Sequence, residues 1–182
     1  MKTYKKHGIV FWITGLSGSG KSSIGNKIIK NIEKNYGKTI IIHGDDIRNI
    51  YNFKNYDLKN RLMLGKSNSD LCNLISKQGV NVVFTTVGLF HQLHKYNKLN
   101  LKKYIEIWIK SDIKDLLINK KKNFYRNKSK FVWGLDLKPE FPKKPDIILK
   151  NNFTISIQKL SELLMKRIEK KLRLSNNHLA NK

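Results

Sequence analysis

The sequence predicts an α/β fold in which a parallel sheet of five strands is covered by helices on both faces. Short, continuous apolar runs are typical of buried parallel strands, and they fall at residues 8–14, 38–43, 80–86, 104–109 and 146–149. Helical patterns lie between these runs, and strands that alternate with helices predict right-handed crossovers in a parallel sheet. The helical periodicity is clearest at residues 57–77, 112–121 and 154–174.

A further helix is predicted from about residue 20 to residue 35, directly after the first strand. Isoleucines recur there at spacings of three and four residues, which places them on one face, and lysines occupy the opposite face. The isoleucines are Ile24, Ile28, Ile29 and Ile32, and the lysines are Lys27, Lys30 and Lys34. Gly37 is expected to end this helix.

The chain of 182 residues is expected to form one domain, because domains commonly hold about 150 residues and no linker-like stretch divides this sequence. Residues 175–182, rich in Asn and Lys, are expected to form a disordered tail. No apolar run approaches the ~20 residues of a membrane span, and residues 1–8 are too short and polar for a secretory signal. We therefore expect a cytoplasmic protein. The single cysteine, Cys72, is expected to be a buried thiol on a helix.

The formal net charge is +24, from 37 Lys+Arg against 13 Asp+Glu. Such a charge attracts polyanions at low salt, so binding to nucleic acid is a first hypothesis. The lysines are scattered, however, and no DNA- or RNA-binding motif accompanies them. The composition therefore favours a solvated lysine surface, which can also steer an anionic nucleotide.

Residues 15–22 read Gly-Leu-Ser-Gly-Ser-Gly-Lys-Ser, a complete G-x-x-x-x-G-K-S motif between a predicted strand and a predicted helix. The glycines allow main-chain amides and the helix N-terminus to point at the phosphates of a nucleotide. Lys21 is expected at the β- and γ-phosphates of ATP, and the Ser22 hydroxyl is expected to ligate Mg²⁺. The predicted ATP-binding residues are Gly15, Ser17, Gly18, Ser19, Gly20, Lys21, Ser22 and Ser23. A glycine-rich turn without a ligand is the alternative.

The second candidate element, residues 43–48, follows the second predicted strand and reads His-Gly-Asp-Asp-Ile-Arg. The carboxyl ends of parallel strands border the ligand crevice, so Asp45 is expected near the phosphate site. Its carboxylate can take the proton of an acceptor hydroxyl or hold Mg²⁺ through water. Arg48, one helical turn further, can grip an acceptor phosphate. A helix cap at Asp45 and a surface position for Asp46 remain open as alternatives.

Residues 11–23 resemble the opening of the adenylylsulfate kinases, which phosphorylate the ribose 3′-hydroxyl of adenosine 5′-phosphosulfate. The resemblance continues through residues 44–48, where the family has Gly-Asp-Asn-x-Arg, and through Arg61. Residues 122–125 resemble the lid's Lys-x-x-Tyr, and residues 134–136 resemble its Gly-x-Asp. The resemblance implies a three-layer P-loop NTPase fold, similar to adenylate kinase, with a short lid at about residues 120–136. A homodimer is expected, since dimers are the commonest assembly.

The departures from the family pattern fall on the acceptor side. His43 stands where the family has Asp, and Leu64 stands where it has Asn. The two arginines that follow the third strand in the family are absent from residues 91–98. The family's Ser-Phe-Ile-Ser-Pro is replaced by Thr85-Thr86-Val87-Gly88-Leu89, and its Phe-Thr-Gly-Ile-Asp by Val132-Trp133-Gly134-Leu135-Asp136. A site built to hydrogen-bond one acceptor discriminates strongly against others, so these changes predict altered specificity.

The resemblance implies an acceptor nucleoside with a 5′-linked anhydride and a free 3′-hydroxyl. The segments that depart are similar to those of capsule-pathway members of the family, which phosphorylate cytidine diphosphoramidate. The residues implied to bind the acceptor are Asp45, Arg48, Tyr56, Arg61, Thr85, Thr86, Lys122 and Trp133. In-line attack of the 3′-hydroxyl on ATP, with Asp45 as base and Lys21 stabilising the charge, is the predicted reaction. An adenylylsulfate kinase and a nucleotide-dependent RNA-binding protein are the alternatives.

Three further features leave alternatives open. Trp133 can stack on a base or pack the hinge of the lid, and residues 120–122 can close over phosphate or form a solvated lysine loop. His91 and His94 have neither Cys nor carboxylate neighbours at the spacing of metal ligands, so no zinc site is expected. Both histidines are expected at the surface or as supporting groups behind the site.

Overall fold

The computed structural model describes residues 7–53, 57–118 and 133–180, with side chains up to residue 174. In chain order the elements are β1 (Val10–Thr14), α1 (Lys21–Tyr36), β2 (Thr39–His43), α2 (Gly44–Ile50), α3 (Leu58–Ser76), β3 (Asn81–Thr85), α4 (His91–Asn100), β4 (Tyr104–Lys110), α5 (Ile113–Ile118), β5 (Ile147–Lys150) and α6 (Ile157–Ala180). Tyr56, Lys122 and most of the predicted lid lie outside the described residues.

The five strands form one parallel sheet in the order β2-β3-β1-β4-β5. Helices α1 and α6 contact each other on one face of the sheet, and α3 contacts α4 on the other. Parallel neighbours need long crossovers, and these helices supply them. The predicted three-layer α/β fold is therefore confirmed. The carboxyl ends of β1, β2 and β3 share one edge of the sheet.

Strand β1 is buried along its whole length at the centre of this sheet. Successive side chains of a strand point to opposite faces. Phe11 and Ile13 accordingly pack on the α1 and α6 side, and Val10 and Trp12 pack on the α3 and α4 side. The Trp12 ring also stacks on Phe84, with 4.5 Å between the ring centroids. Burial on both faces explains why this strand reads as a continuous apolar run.

Helix α1 has the predicted arrangement of its two faces. Ile24, Ile28 and Ile32 are buried in the core, while the lysines of the opposite face are exposed. Gly37 follows the helix with φ 95°, and its N–H donates to the Glu33 carbonyl oxygen at 3.0 Å. A glycine suits this end because other residues rarely adopt a positive φ.

The last helix differs from the prediction at both ends. It begins at Ile157 and its backbone stays helical to Ala180, beyond residue 174 and into the stretch expected to be disordered. The stretch contains neither Gly nor Pro, so no residue forces the backbone out of the helix there. Helices α2 and α4 are additional to the periodic segments singled out in the sequence. No helix of residues 7–53, 57–118 or 133–180 is long and apolar enough to span a membrane.

Candidate active site

The P-loop, residues 15–22, joins β1 to α1 at the carboxyl edge of the sheet. Gly20 has φ 93° and is the N-cap of α1, and no side chain caps this helix end. A Cβ on Gly15 would lie 2.4 Å from the Ile109 carbonyl oxygen, so the loop passes the β4 end where only glycine fits. The uncapped first turn of α1 provides amide donors for an anion. The loop therefore fits the phosphates of a nucleotide.

Lys21 is largely buried, and its ammonium stays at the loop. The Nζ atom donates to the main-chain oxygen of Leu16, 2.7 Å away. This bond lies within the P-loop itself, so the charge remains beside the amides of the first turn of α1. A cation and several amide donors at one place form a site for negatively charged phosphate oxygens.

Asn151, at the end of β5, supports the P-loop from the other side. Its side-chain amide donates to the Ser19 carbonyl oxygen at 3.0 Å, and its Oδ1 accepts from the Phe153 N–H at 3.0 Å. The residue is 1% exposed, and Ser111 Oγ donates to its main-chain oxygen at 2.8 Å. Asn151 was not predicted as a site residue, although a polar pair, Asn151-Asn152, directly follows β5.

A row of hydrogen bonds leads from β2 to the P-loop serine. His43 Nδ1 lies 2.7 Å from Thr85 Oγ1, and Thr85 Oγ1 lies 3.4 Å from Ser22 Oγ. His43 and Thr85 are paired in the register of β2 and β3, and Thr85 is 2% exposed. Gly25 allows this approach, since a Cβ there would lie 2.9 Å from Thr85 Cγ2. His43 and Thr85 are therefore linked by hydrogen bonds to Ser22, whose hydroxyl is the predicted metal ligand.

Asp45 lies in the first turn of α2, and its carboxylate forms an ion pair with Arg48 on the same helix. The side chains are 58% exposed for Asp45 and 31% exposed for Arg48, so the pair borders open solvent. A carboxylate in the first turn is favoured by the helix dipole. The cap position belongs to His43, so the alternative that Asp45 is the helix cap is wrong. Asp46 is exposed.

Two further predicted acceptor residues, Thr86 and Arg61, lie at the end of β3 and at the start of α3. Thr86 follows β3, and its N–H donates to the Ile13 oxygen at 3.0 Å. It also faces α2, since a Cβ on Gly44 would lie 3.2 Å from Thr86 Oγ1. Arg61 lies in the first turn of α3, where its N–H donates to the Asp57 oxygen at 3.0 Å. The P-loop, Thr85 and Thr86 thus lie at one edge of the sheet, where α2 with Asp45 also begins.

Known proteins resemble this chain over most of its length. The family model of adenylylsulphate kinase matches residues 7–150. The chain belongs to the adenylylsulphate kinase family. This kinase is 29% identical over 168 residues to the cytidine diphosphoramidate kinase of Campylobacter jejuni subsp. jejuni serotype O:2. The aligned region covers 90% of this chain and 98% of that protein. It is 23% identical over 145 residues to the probable adenylyl-sulfate kinase of Archaeoglobus fulgidus. That aligned region covers 77% of this chain and 94% of the relative.

Among solved structures, the kinase has the fold of the Mycobacterium tuberculosis APS kinase, determined in complex with AMPPNP and APS. The TM-score is 0.79 at 21% identity, over 90% of this chain and 98% of that chain. A gluconokinase from Sinorhizobium meliloti has the same fold at a TM-score of 0.60 and 14% identity, over 97% of this chain and 98% of that chain. These structures show the P-loop kinase fold, and the family match shows that the chain is an ATP-dependent phosphotransferase.

Trp133 of the kinase is packed into an apolar cluster beside the P-loop. It is 8% exposed and meets the Phe90 ring edge-on at a centroid distance of 5.0 Å. Leu16, Leu89 and Leu116 complete the buried part of this cluster. In this arrangement the ring packs in a cluster with Leu16 and Phe90, which favours the packing alternative over stacking on a nucleobase. A direct contact between Trp133 and the acceptor stays a prediction.

His94 of the kinase is a buried partner of Glu106 on β4. Its Nδ1 lies 2.8 Å from Glu106 Oε1, and Lys98 Nζ lies 3.2 Å from Oε2. Glu106 is fully buried and also accepts from the Tyr104 hydroxyl at 3.0 Å. Burial raises the pKa of Tyr104 well above its ordinary value. This cluster supports the fold behind the site, and within the described residues no group of His, Cys, Asp or Glu forms a metal centre.

Proposed function

We propose that this kinase transfers the γ-phosphoryl group of ATP to the ribose 3′-hydroxyl of a small nucleoside 5′-phosphoanhydride, with cytidine diphosphoramidate as its acceptor. The observation that carries the proposal is a complete P-loop after β1, at the same carboxyl edge of the sheet where α2, with Asp45 in its first turn, follows β2. The choice of acceptor is supported by the similarity to the Campylobacter jejuni enzyme over nearly the full length of both chains. It is also supported by the departures from the family pattern at residues 85–89 and 132–136.

On the donor side, the P-loop binds and orients the triphosphate. The amides of the first turn of α1 and the Lys21 ammonium stabilise negative charge that builds on the transferring group. Mg²⁺, when bound through the Ser22 hydroxyl, supplies further neutralisation of the phosphate oxygens. Positioning these donors before the reaction starts lowers the barrier, because no solvent reorganisation is then needed.

On the acceptor side, Asp45 receives the proton of the attacking 3′-hydroxyl. In this mechanism Arg48 exchanges its bond with Asp45 for a contact with the acceptor phosphates, which frees the carboxylate to act as base. Tyr56, Arg61, Thr86, Lys122 and Trp133 are proposed to orient the acceptor. Because the Thr85 hydroxyl already contacts His43 and Ser22, we assign Thr85 a supporting place instead of a direct contact with the acceptor.

The same similarity supports a place in the biosynthesis of capsular phosphoramidate. We further propose a cytoplasmic homodimer as the working form. The product would be a nucleotide with a new 3′-phosphate and an unchanged 5′-diphosphoramidate. Adenylylsulfate phosphorylation is the second candidate, because a probable adenylyl-sulfate kinase is also among the relatives.

The test is a coupled ADP-release assay with MgATP and a series of acceptors. The series holds cytidine diphosphoramidate, CDP, UDP and adenosine 5′-phosphosulfate, and phosphorus NMR locates the new phosphate. We expect turnover on cytidine diphosphoramidate with a 3′-phosphate product. A matched pair of 2′-deoxy and 3′-deoxy CDP tests the position, since only the 2′-deoxy compound keeps the accepting hydroxyl. Turnover on adenosine 5′-phosphosulfate alone would instead establish the second candidate.

A further inference from the structure

His43 stands between an acceptor and a hydroxyl, and this defines which of its nitrogens carries a proton. Its Nε2 lies 3.1 Å from Asn26 Oδ1, and its Nδ1 lies 2.7 Å from Thr85 Oγ1. The amide oxygen of Asn26 faces Nε2, and an amide oxygen only accepts hydrogen bonds, so Nε2 carries the proton in this arrangement. In a neutral imidazole the other nitrogen then accepts, so the Thr85 hydroxyl donates to His43 Nδ1.

The direction of this bond determines the direction of the next one. A hydroxyl has one proton, and Thr85 has given its proton to His43. Towards Ser22, whose Oγ lies 3.4 Å away, Thr85 can therefore only accept. A hydrogen bond between these two hydroxyls then has Ser22 as its donor, which leaves the Ser22 lone pairs available for another contact.

The surroundings keep this row of bonds in place. Thr85 is 2% exposed, so bulk water has little access to its hydroxyl. The pairing of β2 with β3 holds His43 opposite Thr85, and the close packing of Gly25 on Thr85 holds α1 against β3. The three side chains thus come from three different elements whose spacing is determined by the core.

We propose that His43 is a positioning residue that, as its Nε2-protonated tautomer, directs the Ser22 hydroxyl proton to Thr85 and so presents the Ser22 lone pairs to the divalent cation of the nucleotide. The inference rests on the proposed function, in which Ser22 holds that cation. Partners that orient a metal ligand typically change metal affinity by about 10–100-fold when they are removed. His43 stands where the resemblance places a carboxylate in the family pattern.

Two measurements test the inference. The first is two-bond proton–nitrogen NMR of the nucleotide-free protein at pH 8, where imidazoles are largely neutral. The His43 signals are assigned as those lost in the His43→Asn variant. Protonation at Nε2 is the expected result, and protonation at Nδ1 would overturn the inference while leaving the proposed function intact.

The second measurement is calorimetric titration of ADP with and without Mg²⁺. In His43→Leu and in Thr85→Val, we expect the gain in ADP affinity from Mg²⁺ to fall about tenfold, while metal-free ADP binds as in the unmodified protein. His43→Asn keeps an acceptor near the Nδ1 position and is expected to retain most of the gain. His91→Leu makes the same change at an exposed histidine on α4 and is the matched control.

The outcomes separate the inference from the function on which it rests. A full Mg²⁺ gain in His43→Leu would overturn the role of His43. An unmodified protein that binds ADP without any gain from Mg²⁺ would overturn the cation site itself, and with it both proposals. A loss of metal-free ADP binding in both His43→Leu and Thr85→Val would mean that these residues shape the whole P-loop, which also contradicts the inference.

Discussion

The side-chain amide of Asn151 donates to the main-chain oxygen of Ser19 over 3.0 Å, and this bond ties the end of the last strand to the P-loop. The two residues are 132 positions apart in the sequence. Asn151 is 1% exposed, so the bond is shielded from bulk water. The loop that binds phosphate is therefore held by the far end of the sheet as well as by β1.

Asn151→Ala is expected to raise the KM for ATP about tenfold, because an unsatisfied buried carbonyl costs about 1–3 kcal/mol and the loop loses its support. The KM for the acceptor should change less. Ser111→Ala removes a bond to the Asn151 main chain without touching Ser19, and it serves as control in the same steady-state measurements. If Asn151→Ala lowered the Tm and left the KM for ATP unchanged, the residue would be purely structural.

Asp45→Asn is expected to lower kcat by about 10²–10⁴-fold, because the amide cannot take the proton of the attacking hydroxyl. The affinity for ADP should be unchanged, since Asp45 lies on α2 and outside the P-loop. Asp46→Asn, the same change at the exposed neighbour, is the matched control for stopped-flow and steady-state assays. A kcat for Asp45→Asn that equals that of Asp46→Asn would refute the assignment of the base.

Glu106→Ala is expected to destabilise the fold by about 3 kcal/mol, because a buried carboxylate that pairs with His94 and Lys98 is removed. Urea denaturation gives the change in the free energy of unfolding. Glu162→Ala removes an exposed pair with Lys159 and should cost less than about 1 kcal/mol. Equal stability losses in the two variants would contradict the buried network.

Cys72 is expected to resist thiol reagents in the folded protein. Burial raises the pKa of its thiol to about 12, so the reactive thiolate is scarce at neutral pH. The pKa of Cys72 is higher in the folded protein than in the unfolded one. The contribution of this buried thiol to the free energy of unfolding is therefore fully present below the unfolded pKa. That stability is lost as the pH rises from there towards about 12. Ellman's reagent at pH 8 should react fast in guanidinium and slowly without it, and fast reaction in both would be inconsistent with burial.

Local patterns in the sequence were enough to predict the strands, helix α1 and the P-loop. The isoleucines of α1 recur with the helical period, and the glycines of residues 15–20 stand where the loop needs them. Such features depend on neighbours within a few residues, so they can be read directly from the chain. The helical end of α6 was mispredicted because composition alone does not show where a helix stops.

The sequence by itself determined that a phosphate-binding loop stands between a strand and a helix, and that Asp45 follows the next strand. Only the tertiary structure decided that His43 contacts Thr85, that Thr85 reaches Ser22, and that Asn151 supports Ser19. These contacts join residues that are 42 to 132 positions apart, with His43–Thr85 the nearest and Asn151–Ser19 the furthest. They depend on the strand order β2-β3-β1-β4-β5, which the packing of helices on the two faces of the sheet establishes and no local pattern encodes.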